Sequence, residues 1–190
     1  MMKVKTYYFE EASPIHTEKV LELVRNYLED NPDITHVVVA TTEGATGIAA
    51  AKEFPDKTVI VVSHQTGFVV ENENELSDAN REKIEELGAK VLTATHVFAG
   101  VARSFRKQLG TWMTTEIVGV ALKTFGQGTK VCAEIAMMAA DAGLVPVTKD
   151  VVCIGGTGRG ADTAWVIRPA NSHTFPRLRM KACLCKPLAF

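Results

Sequence analysis

The sequence predicts an α/β protein of the three-layer α/β/α kind, built on a mostly parallel, doubly wound sheet, and three observations predict it. Runs of Val and Ile such as "HVVVA" at 36–40 and "KTVIVVS" at 57–63 lack the alternation of a half-exposed strand and read as strands buried on both faces, the mark of a parallel sheet. Segments of helical period lie between such runs, so strand and helix alternate along the chain. Loops rich in Gly, Thr and Ser follow the strands, at the edge where open α/β sheets bind ligands.

A short strand at Lys3–Phe9 opens the chain, and a loop runs through Pro14. Thr17 then caps a helix, "TEKVLELVRNYLED", whose Val20, Leu21, Val24 and Leu28 form one apolar stripe, with Glu18 near the positive end and a stop at "DNPD". The strand "THVVVA" leads through residues 41–47 into an alanine-rich helix from about Thr46 to Phe54, and "KTVIVVS" follows. After the loop "HQTG", the segment "SDANREKIEELGA" reads as a helix capped by Ser77, with Ile84 and Leu87 inward and Gly88 as its terminating glycine. "KVLTAT" is the next strand, and this βαβαβ order implies right-handed crossovers. The pattern of Val97–Leu109 is ambiguous. Helices then run from about Thr114 to Lys123 and from Thr129 to Ala142, joined by "FGQG". The strand "DVVCIGG", the loop "TGRGAD" and the strand "TAWVIRP" close the core, and "RLRMKACLCKPL" adds a strand at an edge. No repeat or linker divides the chain, so residues 1–190 form one domain, with a core at about 17–169 and an extension at 170–190.

Composition agrees. With 46% apolar and 23% charged residues over 190 positions, the chain can bury about 70% of the surface of its unfolded form. The 21 basic and 22 acidic side chains leave a net charge of −1, so no overall field recruits nucleic acid or a membrane surface. "MMKVKTYYFEE" has no apolar stretch suited to a signal peptide, and no window reaches the ~20 apolar residues of a membrane span, which implies a cytoplasmic protein. Of the four cysteines, Cys132 and Cys153 sit in apolar patterns, while Cys183 and Cys185 form a C-x-C. Zinc would need two further well-spaced ligands, so buried structural thiols are expected and no metal is.

The loops after the strands carry the chemistry. At the first turn of a helix several backbone N–H groups lack partners and the helix dipole adds about half a positive charge, so "TTEGATG" at 41–47 is suited to an anion. Gly44 and Gly47 would let a phosphate approach closely, and Thr41, Thr42 and Thr46 would add hydroxyl donors. Glu43 would repel a phosphate and is assigned to a sugar hydroxyl; the bland alternative is that Thr46 is an N-cap and the glycines merely shape the turn. "IGGTGRGAD" has four glycines in six residues and one cation, Arg159, so it can form a nest of N–H groups around an anion, although a glycine-rich hairpin between two strands is an equal alternative.

With those residues in view, "VVVATTEGATGIAAAKEFP" resembles the strand, phosphate loop and helix of the C-terminal domain of pyruvate kinases, whose T-x-S-G-x-T-A type motif Thr41, Gly44 and Thr46 match. "VVCIGGTGRGADTAWVIRP" is similar to that domain's closing part, and the similarity runs from about residue 17 to 169. The resemblance implies a domain that does not itself transfer phosphoryl groups and whose two loops hold a phosphorylated sugar. A (β/α)₈ barrel takes about 250 residues, so a stand-alone prokaryotic member of the family is expected rather than a pyruvate kinase. Glu43 stands where the family usually has a small hydroxyl residue, and Ala45 replaces a common Arg or Lys. Both departures lower the positive charge, which points to a ligand with one phosphate, FMN or a sugar phosphate.

The expected ligand contacts are thus residues 41–47 (including Ala45), Ser63, His64, Thr66 and Gly67, His96, and the loop from Gly155 through Gly156, Thr157, Gly158, Arg159 and Gly160 to Asp162 and Thr163. Asp162 or Glu43 would hold sugar hydroxyls, and Gly44→Val would abolish binding without unfolding the chain. His64 and His96 follow consecutive parallel strands and are the candidate general bases, with ordinary capping histidines as the alternative. Arg103, Arg106 and Lys107 suit a solvated helix face better than a phosphate clamp. Glu134 is either buried and paired or turned toward a ligand, and Met137 and Met138 fill core or interface. The expected function is a sensor or regulatory binding protein for a phosphorylated small molecule. The rivals are a flavin-dependent oxidoreductase or another enzyme of a phosphorylated metabolite, and an interaction module whose helices at 114–142 form a homodimer or higher homo-oligomer.

Overall fold

A computed structural model describes residues 4–190. Its strands are β1 (Tyr7–Glu11), β2 (His36–Ala40), β3 (Thr58–Ser63), β4 (Lys90–Thr93), β5 (Val151–Gly155), β6 (Thr163–Arg168) and β7 (Arg179–Ala189). The helices are α1 (Thr17–Asp30), α2 (Ala45–Glu53), α3 (Asp78–Glu86), α4 (Gly100–Leu109), α5 (Thr114–Lys123) and α6 (Gln127–Asp141), with 3-10 turns at Pro14–His16 and Ser172–Arg177.

The strands form one seven-stranded sheet in the order β1-β7-β6-β5-β2-β3-β4. β2 pairs in parallel with both β3 and β5, and β3 with β4, because each crossover is made through helices. β6 runs antiparallel to β5 and β7, while β1 is parallel to β7. From β2 the chain winds outward to β3 and β4, then α4, α5 and α6 carry it back to β5 on the other side of β2. That reversal makes the carboxyl ends of β2 and β5 the switch point, where a crevice opens outside the sheet.

Unbroken Val and Ile runs are needed because both faces are covered. Val37 and Val39 of β2 and Val59 and Val61 of β3 pack under α1, α2 and α3, whereas Val38, Ile60 and Val62 point to the other face, under α6. α5 lies outside α6, with Val118 and Leu122 on Met137 and Phe98. The α1 stripe is buried as its spacing requires, and Ser77 caps α3 by accepting from the Asn80 amide. Cys132, Cys153 and Cys185 are buried and burial raises their thiol pKa values, Cys153 out of the ordinary range and Cys185 to about 12.

Several expectations are corrected. β1 begins at Tyr7 and ends at Glu11; Lys3 lies outside the described residues. Thr17 is the first residue of α1 rather than its cap, because Ser13 caps the preceding 3-10 turn and leaves the Thr17 hydroxyl for another partner. Leu87 is 36% exposed, since it follows the last helical residue and faces away from the sheet that holds Ile84. The ambiguous stretch forms α4, an amphipathic helix that buries none of its residues, which explains why no core pattern was visible. β7 is not the edge strand: β1 hydrogen-bonds along it and takes the edge. Among the described residues no helix is long and apolar enough to cross a membrane.

Candidate functional site

At the end of β2, the Thr41 amide donates to Val62 O, and the Thr41 hydroxyl accepts from the amides of Gly44 and Gly47 at 3.1 and 3.4 Å. Gly44 is the N-cap of α2 with φ at +113°, a conformation that only glycine adopts without strain. The first-turn amides of Ala45 and Thr46 have no partner among the described residues, and both residues line the cavity described below. The two glycines serve packing rather than close approach of a phosphate. A Cβ on Gly47 would meet Val61 Cγ1 at 2.6 Å, and one on Gly44 would meet Asn80 Cβ at 2.8 Å. Gly44→Val would therefore damage the fold as well as the site, against expectation, and cannot separate the two.

The second loop joins β5 to β6 as an antiparallel hairpin, with Gly155 opposite Thr163. It reaches the same rim all the same: Arg159 Nη2 lies 2.7 Å from Glu43 Oε1. Here the sequence expectation is corrected, because the cation assigned to a phosphate and the carboxylate assigned to a sugar hydroxyl hold each other. Asp162 is also reassigned. It is 1% exposed, its carboxylate accepts from the Thr157 amide and the Thr163 hydroxyl at 3.0 and 2.6 Å, and it braces the hairpin from inside. The Ala161 amide donates to Thr17 Oγ1 at 2.9 Å, so part of the expected nest of N–H groups is already satisfied by the protein. Gly160 lies where a Cβ would be 2.6 Å from Pro14 Cα, which seats the hairpin on the turn before α1.

Between these loops and the ends of β3 and β4 lies a cavity of about 1130 Å³. Thr41, Thr42, Glu43, Ala45 and Thr46 line one side; Gly156, Gly158, Arg159 and Gly160 line another; Ser63, His64 and His96 line the far end. Gly44, Gly47, Gly155, Thr157, Asp162 and Thr163 are not on its wall, nor are Thr66 and Gly67, which sit further along the loop that leaves β3.

The far end is an aromatic cluster. The His64 ring is 4.2 Å from that of Phe68 and 5.3 Å from that of His96, the latter edge to face. His64 Nδ1 lies 2.6 Å from Glu75 Oε2. Asn74 fixes Glu75 there, since its side chain donates to His64 O at 2.9 Å and accepts from the Leu76 amide at 2.9 Å. Burial pushes the His96 imidazole down to about 4; His64, Lys130 and Arg103 push it the same way, against Glu134. Ser63 Oγ is 2.6 Å from Thr93 Oγ1, which also accepts from Arg81.

Glu134 proves to be both buried and on the cavity wall. It pairs with Lys130 and accepts from the Phe98 amide at 3.0 Å. Arg106 is held by Glu116 at 3.0 Å, and the Arg103 guanidinium stacks 5.0 Å from the Phe68 ring centre. Sequence reasoning missed Phe68, Glu75 and Gln127 as cavity residues. Gln127 had a signal in "FGQG", because a helix opening at Gly126 on the return to β5 must start at this rim. Glu75 had none, as its approach to His64 depends on the fold of an irregular loop.

The fold and the rim define a three-layer α/β domain with a ligand-sized crevice at its switch point. Residues 18–167 match the family described as pyruvate kinase, alpha/beta domain, and the chain belongs to that family. Among solved structures it is similar to O-ureido-L-serine synthase, at 15% identity and a TM-score of 0.32 over 66% of this chain and 48% of that one. A hydrogen sulfide-producing enzyme (Fn1055) from Fusobacterium nucleatum is also similar, at 15% identity and a TM-score of 0.31 over 57% and 37%. The chain thus spans less than half the length of either, and those scores are too low to carry a shared fold.

Proposed function

We propose that this chain binds a phosphorylated small molecule, FMN or a sugar phosphate, across the carboxyl ends of its strands, and that it works in the cytoplasm as a sensor or regulatory binding protein. One observation carries the reading: the unpartnered amides of Ala45 and Thr46 open a helix end onto a cavity of about 1130 Å³. A helix end of this kind suits one phosphate group. The neutralised Glu43 and Arg159 pair adds no net charge to the rim, which favours a single phosphate over two. For FMN, the body of the ligand would lie toward His64, Phe68 and His96, whose rings offer faces and edges to a flat heterocycle, so the residues present fit that cofactor. A sugar would use the hydroxyls of Thr42 and Ser63 and the acidic wall instead. The exposed Leu109, Trp112, Ile117 and Val120 of α4, α5 and the turn between them support a homo-oligomer.

Thermal unfolding tests the binding. A ligand present at 100 times its Kd stabilises by about 2.7 kcal/mol, which for a domain of this size raises Tm by about 5–10 °C. FMN or a sugar monophosphate is expected to give that shift, and the corresponding riboflavin or free sugar much less. Equal shifts with the unphosphorylated compounds, or none with either, contradict the reading.

A further inference from the structure

The aromatic end of the cavity has an arrangement that binding alone does not require. His64 is held on three sides: Glu75 takes Nδ1 at 2.6 Å, Phe68 stacks at 4.2 Å, and His96 meets it edge to face at 5.3 Å. Glu75 is fixed in turn, because Asn74 ties its neighbours to the backbone of His64. With Nδ1 engaged, Nε2 is the one ring nitrogen of His64 left for a ligand. Neither ring nitrogen of His96 has a hydrogen-bond partner among the described residues, and both rings line the cavity. A carboxylate that fixes the tautomer of an imidazole, with a second imidazole beside it, is the arrangement of a positioned proton acceptor next to a positioned donor.

We propose that His64, oriented by Glu75, is a general base that removes the proton from the carbon beside the carbonyl of a sugar phosphate held in this cavity, while a His96 N–H hydrogen-bonds to the carbonyl oxygen. This rests on the phosphorylated-ligand reading in its sugar-phosphate form. The two rings are spaced for it: with each nitrogen reaching about 3 Å toward the substrate, they serve an α-hydrogen and a carbonyl oxygen on adjacent carbons. In the step the C–H bond breaks and its electron pair forms the carbon–carbon double bond of an enediolate. The carbonyl π pair moves to oxygen, where the His96 N–H meets the developing charge, and His64 becomes an imidazolium paired with Glu75. Return of the proton to the former carbonyl carbon, with the hydroxyl proton passing from one oxygen to the other, gives the isomeric sugar phosphate. Return to the original carbon gives exchange with solvent. Nothing is oxidised or reduced overall and no co-reactant is consumed. Burial keeps His96 neutral at pH 7, as a donor that must not carry charge requires.

The test follows glucose 6-phosphate, ribose 5-phosphate and dihydroxyacetone phosphate by proton NMR in D2O with the intact chain, while calorimetry measures the binding of each. Loss of the signal from the hydrogen beside the carbonyl, or appearance of the isomer, is expected for at least one of them. His64→Asn should abolish it. Glu75→Gln should lower kcat by at least ten-fold with KM within about two-fold, and Glu75→Asp should recover part of the loss, a split that simple loosening of the loop would not give. Binding without exchange overturns this inference and leaves the binding function standing, and so does exchange that survives His64→Asn. Failure of all three compounds to bind overturns the inference and counts against the sugar-phosphate form of the binding reading.

Discussion

The Thr41 hydroxyl takes the amides of Gly44 and Gly47, and the Thr17 hydroxyl takes that of Ala161 while donating to Pro14 O, so single side chains close the turns that shape the rim. Pairings of this sort are why the residue types at the site were easier to read than their roles. Thr41, Thr46 and Arg159 stand at the rim as their pattern implied, yet Thr41 serves the turn and Arg159 serves Glu43. A lone sequence shows which groups can donate or accept; partners brought together across 116 residues come from the fold. His96 provides a test at this scale. Its folded pKa of about 4 lies below the ordinary 6.5, so between those values the unfolded chain holds a proton that the folded chain does not, and stability falls as pH falls through that window. His96 should account for about 2 kcal/mol of the stability lost between about pH 7 and pH 5. Urea unfolding of His96→Gln should show a flatter pH dependence by about that amount, and an unchanged slope would count against a buried neutral imidazole.

At the scale of elements, strands and helices with unbroken apolar runs or a clear stripe were legible, because burial on one or both faces imposes those patterns directly. α4 was not, since it is held at its edges by Arg106 on Glu116 and by Arg103 over Phe68 and buries no side chain of its own. β7, read as an edge strand, is instead covered by β1, the first strand of the chain, which pairs along it. How elements meet is equally specific. Gly128, in the first turn of α6, sits against β6 so closely that a Cβ would fall 2.2 Å from Thr163 Oγ1 and 2.9 Å from Asp162 Oδ1. Gly128→Ala should push α6 away from the hairpin and break the Thr163 to Asp162 hydrogen bond. The expected loss is about 3 kcal/mol or more, measured by chemical denaturation, from overpacking together with a disturbed buried carboxylate. A loss below about 1 kcal/mol would show that the junction is looser than described.

For the whole molecule, the strand order decides where function can lie. Winding outward from β2 and returning to β5 brings the 41–47 turn and the 156–160 hairpin to one rim, although more than half the chain separates them. That convergence was predictable from the alternation of strands and helices together with parallel crossovers. The hairpin joining β5 to β6 was one of two equal readings of the glycine-rich loop, and the insertion of β7 between β1 and β6 was not legible, because nothing in a strand's own residues names its neighbours. Since Ala45 is exposed on the cavity wall at the first position of α2, a glutamate there would favour the helix electrostatically while opposing an anionic ligand. Calorimetric titration of the wild type and Ala45→Glu with FMN and glucose 6-phosphate is therefore the most direct measurement. The account predicts that at least one of them binds the wild type and does so at least ten-fold more weakly in the variant, at an equal or higher Tm. Unchanged or tighter binding in Ala45→Glu would contradict the claim that the amino end of α2 holds the phosphate.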